Sequence, residues 1–256
     1  MPTVLLRLSA ALQSYGTTSR WEERATGSRP TKSAVTGLVA NALGLDLDAE
    51  LADLAALTFA VRADRPGQVT SDYQTAGGGS FPLDPLTAAT DPRLAETPEA
   101  WLYGVARKPA PGDDGRLWAP WKAKERTPVL IPKHYLQDAA FLVGLTTPST
   151  TLAKDIADAL DRPARVLYLG RRCCPPDHPI AHGVVDEDAE SWPELVPLLR
   201  RASTATPRAW VETPPGPGTT ARPEQTPATF AARDHPVLYA RSLITSPPPC
   251  PAEESR

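Results

Sequence analysis

Residues 31–44, TKSAVTGLVANALG, decide the fold. Val35, Leu38, Val39, Ala42 and Leu43 fall at i, i+3, i+4, i+7 and i+8, one apolar stripe along a helix from Lys32 to Leu43. Thr31 stands where an N-cap belongs and Gly44 where a left-handed stop belongs. Upstream, Val4, Leu6 and Leu8 alternate with Leu5 and Arg7, the pattern of a half-buried strand. Downstream, Asp48 to Leu57 reads as a short helix with Leu51 and Leu54 inward. Thr58–Arg65 follows as a strand with Phe59 and Val61 on one face. The same grammar returns later. Ala139–Leu145 is apolar enough for a central strand, and Thr150 or Thr151 can cap a helix lined by Leu152, Ile156, Ala159 and Leu160. Arg165–Leu169 reads as a strand. Two β-α-β units split by an insertion make an α+β fold of ferredoxin-like, RRM-like type. The expected organisation is an RRM-like domain over 1–170, with 66–138 inserted, and a smaller β-rich region over 171–256. That second region has strand-like pieces at His182–Val185, Ala209–Glu212 and Pro236–Ala240, a Pro-rich loop at 213–227 and a flexible tail.

Proline is abundant for a globular chain, 30 of 256 residues, which excludes a mostly helical bundle. The net charge of −3 conceals an uneven distribution. Residues 1–45 hold five basic and two acidic groups, and residues 101–135 hold seven and three. Electrostatic footprints are local, so two basic regions in an acidic chain leave nucleic-acid binding open. The N-terminus has no secretory pattern and no apolar run is long enough for a membrane span, so a cytoplasmic protein without membrane contact is expected. Cys173, Cys174 and Cys250 form neither a disulfide framework nor a zinc motif.

Two clusters are candidates for chemistry. In the first, Gln13, Tyr15, Arg20, Arg24, Lys32 and Ser33 lead into the helix start at Thr31, where free N–H groups and the dipole favour a phosphate. Tyr15 and Trp21 are placed to stack on bases. The same residues read equally as a capped helix beside a solvated basic loop. In the second, Lys122, Lys124, Arg126, Lys133 and His134 follow Trp118 and Trp121, an interleaving suited to a single strand, or else the edge of an exposed hairpin over core tryptophans. Arg171 and Arg172 follow a strand and face either RNA or the acidic 186–190 run. Lys133, His134 and Tyr135 could supply a cation, a base and an acid for metal-free RNA cleavage. His178 and His182 lie across a Pro-rich stretch that cannot form a shared metal face, and Gly77–Gly79 lacks the Lys-Ser/Thr of a P-loop. No metal or cofactor is expected.

Taken together, VLLRLSAALQSYG, SRWEERATGSRPTKSAVTGLVANALGL, HYLQDAAFLVGL, ARVLYLGRRCCPPDHPI and ARDHPV resemble the CasD subunits of type I-E CRISPR Cascade complexes, in the RAMP superfamily. The resemblance spans most of residues 1–182 and returns at 231–243. It implies an RRM-like domain with a projecting thumb hairpin, which the 66–138 insertion would supply. It also implies a non-catalytic role in antiviral defence: binding the 5′ handle of the CRISPR RNA, joining the backbone subunit CasC to the large subunit CasA, and meeting target DNA through the complex. The alternative is the repeat-processing endoribonuclease of a related subtype. The aromatic sheet signature of ordinary RNA-recognition domains is absent, so handle binding is expected to use loops and helix starts.

Overall fold

The structure, a computed structural model, describes residues 1–16, 24–46, 48–76, 82–83, 110–111, 117–118, 129–223 and 237–251. Along the chain these form β1 (Thr3–Gln13), α1 (Lys32–Ala42), α2 (Ala52–Ala55), β2 (Thr58–Arg65), β3 (Gln68–Ala76), β4 (Pro82–Leu83), β5 (Ala110–Pro111), β6 (Leu117–Trp118) and β7 (Val129–Thr146). They continue as α3 (Thr150–Asp161), β8 (Ala181–Val185), α4 (Trp192–Leu195), β9 (Arg208–Glu212), β10 (Thr219–Pro223) and β11 (Val237–Ile244). The chain divides into two compact units, one of residues 1–19, 25–71 and 134–256, the other of 20–24 and 72–133. The long piece of the second unit lies within the segment read as an insertion. It contains a small antiparallel sheet ordered β4-β6-β5.

The principal sheet runs β10-β11-β9-β2-β7-β1-β8, with β3 paired to β7. Strand alternation sorts its side chains. Val4, Leu6 and Leu8 of β1, Phe59 and Val61 of β2, and Phe141, Val143 and Leu145 of β7 share one face, in a core completed by α1 and α3. α1 starts as expected: Thr31 Oγ1 accepts from Ala34 N at 3.1 Å. It stops at Gly44 (φ +75°), with Leu45 N donating to Ala40 O, a Schellman closure. The cap of α3 is Ser149, whose Oγ accepts from Leu152 N, and not either threonine. Ala153, Ile156 and Leu160 form its buried stripe.

The opposite face is covered in part by residues 189–199. Leu5, Ala60 and Leu142 pack there against Trp192, Val196 and Leu199. Trp192 lies so close on the sheet that a Cβ at Gly144 would sit 2.6 Å from its Cε2. Beneath this strap Arg62, fully buried, spends all five N–H groups. Nε and Nη2 donate to Asp64 at 2.6 and 2.9 Å, and Nη1 and Nη2 donate to the carbonyls of Pro193, Val196 and Pro197. Asp64 Oδ2 also accepts from Leu199 N.

Three sequence expectations need correction. Arg165–Leu169 is not a strand, because its polar groups are committed to α1: Ala164 N donates to Ala42 O, Asn41 Nδ2 to Val166 O, and Arg165 to the Gly44 and Leu45 carbonyls. The strand beside β1 is β8, antiparallel to it from Thr3↔Val185. Residues beyond 170 therefore form no separate region: β8 borders β1, and β9, β11 and β10 extend the same sheet from the far edge of β2. Within the Pro-rich stretch 213–227, Thr219–Pro223 is itself a strand.

Candidate nucleic-acid interface

The residues expected to touch RNA divide into three groups. Gln13, Tyr15 and Lys32 are interior. Gln13 donates from Nε2 to Ala139 O at 2.7 Å and accepts at Oε1 from the Tyr15 hydroxyl, also at 2.7 Å. Tyr15 packs edge-on to Phe141, and burial raises its hydroxyl pKa well above the usual value, with Cys174 adding to the effect. Neither side chain can stack on or pair with a ligand from this position. Lys32, 4% exposed, places Nζ 2.9 and 3.0 Å from the two carboxylate oxygens of Glu212, which also accepts from Phe59 N. The neighbouring Arg29 guanidinium lies 4.6 Å from the Trp210 ring centroid. This part of the basic loop is thus consumed in joining α1 to β2 and β9.

Arg20, Trp21, Lys122, Lys124, Trp121 and Arg126 lie outside the described residues. Within the second unit, Arg24 forms a parallel bridge with Lys133, its N–H donating to Pro132 O at 3.0 Å, and Lys133 Nζ donates to Gln74 Oε1.

The remaining residues collect at one end of the principal sheet, in the first unit. Ser33, in the opening turn of α1, lines a hollow of about 400 Å3 with Arg165, Tyr168 and Gly170. Gly170 (φ +94°) is the hinge of the loop that follows, because a Cβ there would collide with Ser14 O. Ser14 N donates to Leu169 O, Leu169 N to Cys174 O and Cys174 N to Arg171 O. These three bonds hold the loop against the end of β1, with Arg172 exposed and Arg171 half-buried. The Arg171 guanidinium sits 4.5 Å from the centroid of buried Tyr135, a cation–π contact that orients it. His134, one residue before on β7, shares a 2.8 Å hydrogen bond with Ser71 Oγ. Beneath the loop, burial, with Cys173 adding to it, pushes the Cys174 thiol up to about 11. Burial likewise raises the Tyr135 hydroxyl, which lies 3.5 Å from Cys173 Sγ. Among the described residues no cluster of His, Cys, Asp and Glu could hold a metal ion, and no helix is long and apolar enough to cross a membrane.

A hydrogen-bonded loop carrying two arginines, on a sheet backed by two helices, is the feature of this unit whose chemistry suits a polyanion. Residues 3–214 match the family described as CRISPR-associated protein (Cas_Cas5). The CRISPR system Cascade subunit CasD of Escherichia coli (strain K12) is 29% identical over 194 residues, 70% of each chain. Among solved structures, a chain of a CRISPR RNA-guided surveillance complex superposes with a TM-score of 0.68 at 29% identity, covering 98% of this chain and 95% of that one. The crystal structure of a Cas protein gives 0.64 at 28% identity, covering 95% and 94%. The chain belongs to the CRISPR-associated Cas5 family of antiviral defence and is a subunit of the CasD type.

Proposed function

We propose that this chain is a non-catalytic subunit of a type I-E CRISPR surveillance complex that binds the 5′ handle of the CRISPR RNA, bridges CasC and CasA, and meets target DNA through the assembly. The observation that carries the proposal is the loop after Gly170. Its backbone is fixed by three hydrogen bonds before any ligand arrives, so Arg171 and Arg172 meet a phosphodiester with little ordering cost. Arg20, Arg24, Arg126 and Lys133, all of the second unit, are proposed RNA contacts of that unit by itself. We read the strand order β8-β1-β7-β2, backed by α1 and α3, as the ferredoxin-like arrangement, and the second unit as the thumb.

The strand geometry supports a binder over a nuclease. Lys133, His134 and Tyr135 are consecutive on β7, so His134 and Tyr135 point to opposite faces and cannot flank one ribose 2′-OH. Tyr135 is buried, and its raised pKa makes it a poor acid.

Fluorescence anisotropy with labelled handle RNA tests the site. Arg171→Ala/Arg172→Ala should weaken binding roughly tenfold or more and flatten the salt dependence by about 0.7 for each phosphate that is no longer neutralised. Unchanged affinity would remove the loop from the interface. Pure protein incubated with repeat RNA in EDTA should leave it intact, whereas cleavage abolished by His134→Ala would establish the nuclease instead.

A further inference from the structure

Beside the strap of residues 189–199, the sheet face opposite α1 and α3 has a cationic opening. Two adjoining hollows of about 710 and 210 Å3 share Arg7, Leu199, Arg200 and Arg201. Arg65 and His178 line the smaller one and His182 the larger. Arg7 stands in register with Leu142, and Leu142 with Arg62, so it lies two strands from the arginine that fastens the strap.

The groups here are arranged for an incoming anion. Arg7 Nη2 reaches the Pro179 carbonyl only at 3.5 Å, and its Nε is buried with no hydrogen-bond partner. Arg65 Nη2 pairs with Asp138 at 3.0 Å, yet its Nε is likewise buried and unmatched. Asp177, the carboxylate lining the smaller hollow, accepts from Ser9 Oγ at 3.0 Å. Arg200 and Arg201 are exposed, and Arg201 holds a left-handed backbone (φ +64°) at the end of the strap. Burial lowers the His182 pKa, as do the charges of Arg7 and Arg62, against a weaker opposing effect from Asp64. Apart from the two imidazoles, no aromatic side chain among the described residues lines either hollow, so these residues offer no platform on which a base would stack.

We propose that this groove, formed by Arg7, Arg65, Arg200 and Arg201 between β1 and the end of the strap, is a second phosphodiester site that takes single-stranded RNA by its backbone without reading bases. Planar guanidinium forks suit phosphate oxygens, and the want of a stacking platform makes recognition sequence-independent. The inference rests on the reading above, that RNA lies on this chain, but uses a different face of the sheet from the loop after Gly170.

The test uses the full chain and labelled oligouridylate, which contains no handle sequence. Arg200→Gln/Arg201→Asn alters two exposed side chains, and asparagine tolerates the left-handed backbone, so the fold should keep its melting temperature. The double variant should bind oligouridylate several-fold more weakly, with a salt slope shallower by about 0.7 to 1.4. Wild-type affinity and slope in that variant would overturn the proposal. So would a polyglutamate peptide that binds the wild type as tightly as oligouridylate and is released by the variant, which would assign the groove to an acidic protein segment. Arg171→Ala/Arg172→Ala, measured in parallel, separates the two readings. That variant should bind handle RNA roughly tenfold more weakly and retain the oligouridylate response to Arg200→Gln/Arg201→Asn. If the response vanishes in that background, the groove is not a separate site.

Discussion

Arg62 is the residue on which the strap depends. A guanidinium taken wholly out of water is tolerable only when each donor is matched, and here two go to Asp64 and three to carbonyls of residues 193–197. Arg62→Ala would leave the buried Asp64 carboxyl held only by the Leu199 N–H. It should cost about 3–5 kcal/mol in urea unfolding, while Arg62→Met/Asp64→Leu should recover much of the loss. A double variant no more stable than the single one would mean that the carbonyl hydrogen bonds, not the ion pair, carry the energy. The pair has a sequence signature that the apolar pattern concealed. In TFAVRADR, Arg62 and Asp64 are two apart on the face opposite Phe59 and Val61, and a charged pair at period two inside an apolar strand marks buried chemistry. Lys32 misled for the opposite reason. Its partner Glu212 is 180 residues away, and no local pattern reports a contact of that range.

At the scale of elements, the helices and central strands followed from periodicity because their burial is one-sided, as the stripe of Val35, Leu38, Val39 and Ala42 shows. Arg165–Leu169 carries the alternation of a strand but follows on from the C-terminal end of α1, where Ala164 N takes the Ala42 carbonyl that the helix leaves unsatisfied and Arg165 takes the Gly44 and Leu45 carbonyls just beyond it. Competition for those groups cannot be read from the five residues themselves. The same holds for β1, which pairs on as far as Gln13 and so draws Gln13 and Tyr15 inward. What the sequence did disclose at the site is the loop chemistry, in GRRCC. Gly170→Ala tests whether that loop acts as one body. The substitution forces an unfavourable backbone and a collision with Ser14 O, so stability should fall by roughly 1–3 kcal/mol. Handle binding should fall with it, although no RNA-facing side chain is changed. Retained affinity would show that the arginines need no fixed loop.

On the scale of the whole molecule, the last third of the chain is not an appendage. β9 zips onto β2 from Ala60↔Val211 to Ala63↔Arg208, and β11 and β10 follow outward. A chain ending at residue 206 would therefore lose three strands, β9, β10 and β11, and with them the cover of β2. The β2 segment Ala60–Ala63 would present a row of unpaired amides and carbonyls, the template on which sheets of separate molecules join. Lys32 would lose Glu212 and become a buried cation without its counter-ion. Such a shortened protein should elute in size-exclusion chromatography as dimers and larger species, where the full chain does not. The C-terminal strands thus act as a stopper for an otherwise adhesive margin, and proteolysis before Arg208 would uncover a self-associating edge.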